Sequence, residues 1–377
     1  MIEYRKARKE ECDACVELAN YVFSSASQPH DFEKLLPKVY SPDIDFSSMH
    51  YVAVDEKGKL HAQVAILSQT MSVCGRSLKT GYIGSVSVHP KSRGEGHMKA
   101  LMQMCLSDAE KSYDLIGLGG QRQRYEYFGF TIGGIEITYS IHKSNSKHAL
   151  KTEETKGILF YPLFSQKGAA EFMHDLQASK PAYMERNISE IQDISESYGQ
   201  KAIGILIDDV LSGYMIASRD GKNISEFILL DSGYIKRVIK AYLEYMKAEE
   251  IQITVSAYDM ALHACFSDFA EEYRIQPSGM YNILDFANVI EAFLTLKYKK
   301  YGLIPGRLSA VFDGQPVTVT ANDNGVFVKR IADKDAPVLS KNTAQKLLLS
   351  IFGHVEEISA PKDWFPLPIF WYTADKF

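Results

Sequence analysis

The pattern that most constrains this chain is an apolar strand followed by a glycine loop and an amphipathic helix. The strand-like run ends at Val88, Gly94 and Gly96 interrupt the chain, and apolar side chains then recur at helical spacing from Met98. A short apolar run at Leu115–Leu118 follows, as a buried strand would. A strand–loop–helix–strand unit of this kind predicts an α/β layer fold.

The same pattern occurs a second time, 137 residues further along the chain. At this offset Gly96 corresponds to Gly233 and Leu118 to Val255, and a second apolar helix face begins at Ile235. One offset that aligns a glycine, a helix face and a strand indicates a duplicated domain. The alternative is that any two α/β units would show this much likeness.

The last part of the chain differs from both copies. The turn signals Asp313-Gly314 and Asn324-Gly325 separate β-rich runs, which predicts a smaller α+β domain. We therefore predict three domains, at residues 1–147, 148–284 and 285–377.

Composition excludes several classes of protein. The 377 residues include 42 basic and 47 acidic side chains, for a net charge of −5. The chain therefore lacks the excess of positive charge that is typical of nucleic-acid-binding proteins. No apolar run approaches the ~20 residues of a membrane span, and the charged start does not look like a signal peptide. Five scattered cysteines do not suggest a disulfide framework, and the histidines show no metal-ligand spacing. We expect a cytoplasmic protein without a metal, a nucleic-acid partner or a membrane partner.

The loop before the first helix has the residues of a pyrophosphate site. Free backbone N–H groups and the positive end of a helix dipole attract anions at such a junction. Glycines allow close approach of the main chain, and Arg93 adds a forked cation suited to phosphate. The alternative is a glycine turn before an ordinary helix. The expected contacts with the anion are Arg93, Gly94, Glu95, Gly96, His97 and Met98.

This stretch resembles motif A of the GNAT N-acetyltransferases, Arg/Gln-x-x-Gly-x-Gly/Ala, which cradles the pyrophosphate of acetyl-CoA. Arg93 and Gly96 match, whereas Met98 departs from the usual small residue. The later Tyr-x-x-Phe-Gly-Phe, from Tyr125, is similar to the family's second CoA element, where a tyrosine hydroxyl faces the thioester sulfur. The resemblance implies acetyl-CoA as co-substrate, with Gly120 and Gln121 among the residues that contact it. The strand edge at Val86, Ser87 and Val88 is then expected to pair with the amides of its pantetheine arm.

The whole chain is similar to the Eis (enhanced intracellular survival) type of GNAT enzyme. The features that it shares are the length, the duplicated unit, Gly-x-Met-Lys from Gly96, and a terminal phenylalanine, Phe377. This resemblance implies an active first GNAT domain, a degenerate second one, a domain like sterol carrier protein 2, and a homo-oligomer such as a hexamer. At the 137-residue offset Arg93 becomes Leu230 and Gly94 becomes Asp231, so we expect no acetyl-CoA in the second copy.

Catalysis on an amine requires a group that removes a proton. Residues 60–73 and 79–88 contain no Asp or Glu, so the central strands offer no base. The Eis resemblance implies that the α-carboxyl of Phe377 is the base. A free α-carboxyl titrates near ~3.5 and burial would raise that pKa. The alternative is that Phe377 is simply a frayed chain end.

Tyr125 is the candidate acid for the departing CoA thiolate, with Tyr127 as its competitor and a merely packed ring as the alternative. We expect an N-acetyltransferase in which a primary amine attacks the thioester directly. A backbone N–H near Val88 would stabilise the oxyanion of the tetrahedral intermediate. The acceptor could be an aminoglycoside-like amine, a polyamine, or a lysine or peptide amine. Lys376 places a cation beside the proposed base, which disfavours polycationic acceptors. The alternative function is a non-catalytic module that binds acyl-CoA or lipid.

Overall fold

A computed structural model describes residues 1–26, 28–41, 44–351, 353 and 355–377. They form two compact units. The first comprises Met1–Gly133, Gly279–Leu367 and Lys376–Phe377, and the second comprises Gly134–Ser278 and Pro368–Asp375. Strands and helices alternate along most of the chain, so the predicted α/β class is confirmed.

The strands, numbered in chain order, are β1 Ile2–Lys6, β2 His50–Asp55, β3 Leu60–Val73, β4 Arg76–Val88, β5 Leu115–Leu118, β6 Thr131–Gly133, β7 Glu136–His142, β8 Ile158–Pro162, β9 Ala182–Met184, β10 Lys201–Ile207, β11 Val210–Ala217, β12 Asn223–Leu229, β13 Glu250–Ser256, β14 Glu272–Gln276, β15 Gly279–Ile283, β16 Gly306–Phe312, β17 Gln315–Asn322, β18 Gly325–Lys329 and β19 Val338–Leu339.

The α-helices are α1 Cys12–Ala26, α2 Phe32–Leu35, α3 Pro37–Tyr40, α4 His97–Ala109, α5 Arg122–Tyr125, α6 Lys143–Ser146, α7 Ala169–Ala178, α8 Ile191–Glu196, α9 Ile235–Met246, α10 Met260–Phe266, α11 Phe286–Tyr301 and α12 Lys341–Leu349. In the residues that the structure describes, no helix combines the length and the apolar character that crossing a membrane requires.

The main sheet of the first unit has the order β1-β2-β3-β4-β5-β15-β6. Its neighbours are antiparallel except for the pair of β4 and β5, which is parallel. Helix α4 covers one face because Leu101, Met102 and Cys105, spaced at three and four residues, are all completely buried against that sheet. The predicted helix face is therefore the one that makes the core.

The two parallel strands separate near the middle of this sheet. Their register runs from Thr80 opposite Leu115 to Ile83 opposite Leu118 and ends there, although β4 continues to Val88. Beyond the last pair, the backbone of β4 still pairs with β3 on its other side. The result is a wedge-shaped opening with the main chain of β4 along one edge.

The sheet of the second unit repeats this arrangement. Read from β8, its order is β8-β10-β11-β12-β13-β7-β14, and its parallel pair, β12 with β13, again occupies the fourth and fifth positions. The sixth position is filled by β15 in the first sheet and by β7 in the second, so each sheet receives this strand from a distant part of the chain. Because β7 lies at residues 136–142, the second unit begins before the domain boundary predicted at residue 147.

A buried ion cluster holds the tail segment 368–375 within the second unit. Arg186 donates from Nε to Asp375 Oδ1 and from Nη2 to Glu226 Oε2, both at 2.8 Å, and all three side chains are at most 1% exposed. Removing one partner from such a cluster costs ~3–5 kcal/mol, because an unpaired charge stays buried.

The turn predicted at residues 313–314 joins β16 to β17, whereas the next turn lies at Asp323-Asn324, one residue before the predicted pair, because Gly325 already pairs with Asn322 as the first residue of β18. These strands belong to a third sheet. Its order is β18-β17-β16-β19, and helix α11 packs on β17 and β18. These elements are grouped with the first unit. The division of the chain into three domains stays a prediction.

Candidate active site

The loop between β4 and α4 leaves its main chain open. Gly94 and Gly96 have φ angles of 87° and 84°, a region that favours glycine, and a Cβ at either position would meet no atom within 4 Å. In the part of the chain that the structure describes, the N–H groups of Gly94, Glu95 and Gly96 have no backbone acceptor, and no side chain caps α4. These amides, the start of the helix and the exposed Arg93 can therefore receive an anion.

The buried side chain of His97 links this loop to β1. It is only 3% exposed, its Nδ1 lies 2.9 Å from the hydroxyl of Tyr4, and its Nε2 lies 3.0 Å from Oε2 of Glu95. Two predicted ligand residues, Glu95 and His97, thus bond to each other through their side chains. Only the main chain of His97 is available to a bound molecule.

The edge of β4 contains a bulge at the start of the opening. The register with β3 shifts between Gly84 and Ser87, and Ser85 has a φ of 49°. The Ser87 side chain is fully buried, whereas Val86 and Val88 are partly exposed. The three predicted contact residues 86–88 therefore lie on the stretch of β4 that has parted from β5.

The C-terminal residue lies on this bulged strand. A Cβ built on Gly84 would come within 2.8 Å of the carboxyl carbon of Phe377 and 2.9 Å of its oxygen. Phe377 is 8% exposed and its ring lies 6.1 Å from that of Tyr40, centroid to centroid. The terminal carbonyl carbon and oxygen of Phe377 are therefore at the wedge, and its ring is packed.

Tyr125 lies beside the other edge of the same opening. Its ring packs on Gly120, where a Cβ would be 2.5 Å from Cε2, and Gly119 directly follows the last residue that pairs with β4. Burial raises the pKa of Tyr125, an effect that the neighbouring Arg124 partly offsets. The phenol therefore keeps its proton at neutral pH, as an acid or hydrogen-bond donor must.

Tyr127, the competing candidate, lies elsewhere. It is 66% exposed, and the ammonium of Lys99 sits 5.1 Å above its ring. Gln121, also predicted to contact the ligand, is exposed at the start of α5. Tyr125 is 7% exposed and packs in the core beside the opening, whereas Tyr127 is exposed to solvent.

Sequence reasoning missed the residues that receive the chain end. Lys38 Nζ donates to the main-chain oxygen of Lys376 at 2.5 Å, and Tyr40 contacts the ring of Phe377. No local pattern could have revealed these contacts, because they join residues more than 330 positions apart.

The corresponding loop of the second unit is closed by its own side chain. Asp231 accepts a hydrogen bond from the N–H of Gly233 at 2.8 Å, directly before α9. Gly233 is the residue that the offset pairs with Gly96. The N–H of Gly233 therefore already has a carboxylate acceptor. Among the described residues, no three His, Cys, Asp or Glu side chains are grouped so as to hold a metal ion.

The model of a known protein family matches the first part of the chain. Residues 3–133 match the model of the acetyltransferase (GNAT) domain, a span that contains β1 to β6 and the loop before α4. No curated protein matches the chain. The chain contains a GNAT acetyltransferase domain, and the prediction of an acetyltransferase enzyme is confirmed.

Solved structures extend the likeness of fold to nearly the whole chain. A GCN5-related N-acetyltransferase from Anabaena variabilis is 17% identical with a TM-score of 0.67, and the match covers 93% of this chain and 91% of that one. For a probable N-acyltransferase from Enterococcus faecalis the values are 16%, 0.66, 91% and 88%. For Eis1 from Mycobacterium abscessus they are 12%, 0.59, 92% and 89%. At these identities the likeness is one of fold.

Proposed function

We propose that this protein transfers the acetyl group of acetyl-CoA to a primary amine, by direct attack in a ternary complex. The observation that carries the proposal is the α-carboxyl of Phe377, which lies on Gly84 at the opening between β4 and β5. A base at that opening can take the proton that a neutral, nucleophilic amine must lose. The GNAT match of residues 3–133 supports the reaction class.

The loop before α4 supports acetyl-CoA as the donor substrate. Its free amides at Gly94, Glu95 and Gly96 and the cation of Arg93 fit a pyrophosphate, which carries negative charge and many acceptor oxygens. The parted edge of β4, at Val86–Val88, offers main-chain groups to the amides of the pantetheine arm. A Cβ at Gly94 or Gly96 would not clash, so space for a ligand exists above both.

Tyr125 would assist the departure of the CoA thiolate. A thiolate is a moderately basic leaving group, with a pKa near ~8.5, and a protonated phenol can donate to it. The burial of Tyr125 keeps it protonated, and its place beside Gly120 puts it on the wall of the wedge opposite β4. Base and acid would thus act from opposite walls, which suits direct transfer without a covalent enzyme intermediate.

The charge near the chain end bears on the acceptor. Lys376 directly precedes Phe377, and the ammonium of Lys38 donates to the main-chain oxygen of Lys376. Like charges repel, so we propose an acceptor with one amine and little further positive charge, such as a lysine or N-terminal amine of a peptide. Polyamines and aminoglycosides are the less suited acceptors.

We further propose that the second unit is a degenerate GNAT domain and that residues 285–377 are a sterol-carrier-like domain. The repeated strand order and the Asp231 cap support the first part. The strands of the third sheet and helix α11 support only an α+β domain for the second. A cytoplasmic homo-oligomer, such as a hexamer, belongs to the same proposal.

The test follows free thiol while the protein is incubated with acetyl-CoA and a panel of amines. We expect thiol release with at least one amine, and loss of that release on deletion of Phe377 or addition of one residue after it. Binding of CoA, measured by calorimetry, should persist in both variants. Binding without release for every amine would favour the alternative, a non-catalytic module that binds acyl-CoA. Full turnover without Phe377 would refute the proposed base.

A further inference from the structure

We propose that Lys38 and Tyr40, both on helix α3, are positioning residues that hold the C-terminal dipeptide so that the carboxyl of Phe377 lies on Gly84. Their effect on turnover rests on the proposed function. We call the contacts of Lys38 and Tyr40 with the C-terminal dipeptide the clamp. It fixes where the chain end lies, and this position can be tested without measuring activity.

The two contacts act on different parts of the dipeptide. Lys38 Nζ donates to the main-chain oxygen of Lys376 at 2.5 Å, which fixes the peptide plane before the last residue. Tyr40 packs its ring against that of Phe377, at 6.1 Å between centroids, which fixes the side chain of that residue. Together they restrain the backbone on one side of the carboxyl and the side chain on the other.

Helix α3 is only four residues long, yet it is packed on several sides. Pro37 occupies its first turn, where a missing N–H costs nothing, and Val39 and Tyr40 are buried. The rings of Phe32 and Phe46 pack edge-on against Tyr40, with centroids 6.0 and 5.0 Å away. The aromatic surface that receives Phe377 is therefore packed from its other sides.

A chain of buried hydrogen bonds orients the Tyr40 hydroxyl. Nδ1 of His50 lies 3.1 Å from the carbonyl oxygen of Phe46 and donates to it, which leaves Nε2 as an acceptor. The Tyr40 hydroxyl lies 3.2 Å from this Nε2 and 2.5 Å from Oγ of Ser85, so Tyr40 donates to His50 and Ser85 donates to Tyr40. Burial lowers the pKa of His50 to about 4, which keeps the ring neutral in this role.

This chain of bonds ends beside the proposed base. Ser85 is the bulge residue directly after Gly84, and Gly84 is the surface on which the carboxyl of Phe377 rests. Tyr40 therefore connects both sides of that contact, because it holds the ring of Phe377 and the bulge of β4 at once. Sequence separation hides the arrangement, since its members come from three distant parts of the chain.

The activity test compares Tyr40→Leu, Tyr40→Phe and Lys38→Met with matched controls. Tyr51→Phe removes a buried tyrosine hydroxyl that donates to Asp108 at 3.0 Å, and Lys240→Met removes a lysine that donates to one main-chain oxygen, of Glu153, at 2.6 Å. Both controls lose the same kind of bond without contacting the chain end.

We expect Tyr40→Leu to lower kcat by about 100-fold and Tyr40→Phe and Lys38→Met by about 10-fold each, because displacement of a reacting group by about 1 Å has effects of this size. The KM for acetyl-CoA should stay within about three-fold, since the phosphate loop is untouched, and the controls should keep kcat within about two-fold. Equal kcat values in the three variants and the controls would overturn a positioning role.

A spectroscopic test addresses the clamp directly. With 4-fluorophenylalanine at position 377, we expect one narrow fluorine resonance in the otherwise native protein and in Tyr51→Phe. Broad or multiple resonances should appear in Tyr40→Leu and Lys38→Met. An unchanged single resonance in these variants would refute the clamp. Turnover that survives deletion of Phe377 would instead refute the proposed function and leave this spectroscopic result standing.

Discussion

Gly84→Ala is the most direct perturbation of the proposed base. Gly84 does not have a positive φ, so alanine can adopt its backbone conformation without strain. The added Cβ would, however, lie 2.8 Å from both the carboxyl carbon and Cγ of Phe377. Ordinary contact between such atoms begins near 3.4 Å, so the chain end must move by roughly 0.6 Å or more.

A shift of this size should be visible in the rate. Misplacement of a reacting group by about 1 Å can cost about 100-fold, which corresponds to ~2.7 kcal/mol in the activation free energy. We therefore expect kcat to fall by about 30- to 100-fold, with little change in the KM for acetyl-CoA. The assay is thiol release at saturating acetyl-CoA with the amine that gives the highest turnover.

Gly81→Ala, on the same strand, is the matched control. Its Cβ would also approach another group, the Cδ1 atom of Ile66 at 2.7 Å, but this atom is the tip of a flexible side chain. We expect a modest loss of stability and nearly normal turnover. If Gly84→Ala and Gly81→Ala have the same kcat, the carboxyl of Phe377 does not act from the position that it occupies here.

Four further expectations follow from the site. Tyr125→Phe should lower kcat by about 10- to 100-fold at unchanged KM for acetyl-CoA, and normal turnover would remove this phenol from the mechanism. Arg93→Ala should raise the dissociation constant of CoA by about 10-fold, the size of one charge-assisted hydrogen bond, with calorimetry as the measurement. Calorimetry of the native protein should also give one CoA site per chain, because Asp231 caps the second loop; two equivalent sites would contradict this. His50, with its pKa lowered to about 4 from 6.5, binds a proton more readily in the unfolded chain, so its contribution to stability is complete above pH 6.5 and is lost as the pH falls toward 4. Between pH 7.5 and 5 this loss amounts to about 2 kcal/mol, and urea unfolding of His50→Gln should show a correspondingly smaller acid sensitivity.

Local patterns in the sequence were sufficient for the elements that surround the phosphate loop. Helix α4 has the predicted buried face because 3.6-residue periodicity is a property of the helix alone. Gly94 and Gly96 were expected to free the main chain, and both have the positive φ angles that only glycine adopts easily. The first predicted turn of the third sheet lies between β16 and β17 because turn chemistry is local, whereas the second is shifted by one residue, to Asp323-Asn324, because strand pairing sets its register.

Contacts between distant segments could not be predicted in the same way. Nothing in the sequence of residues 279–283 indicates that β15 lies between β5 and β6. Strand pairing depends on which strand edges the tertiary structure leaves open. His97 was expected to contact the ligand through its position in the motif, whereas the fold buries its imidazole between Tyr4 and Glu95. The His97 side chain therefore stabilises the loop, and only the main chain of His97 can contact a ligand.

The groups proposed to act here belong largely to the main chain, and this has a consequence for sequence divergence. The proposed base is a terminal carboxyl, the proposed anion site consists of backbone amides, and the bulged edge of β4 would present backbone groups to the pantetheine arm. Such groups need glycine or packing at a few positions, such as Gly84 and Gly96, and the proposal assigns roles to only a few side chains besides, those of Lys38, Tyr40, Arg93 and Tyr125. Variants at exposed positions outside these contacts should therefore leave kcat within about two-fold, whereas Gly84, Gly96 and the chain end should tolerate almost no change.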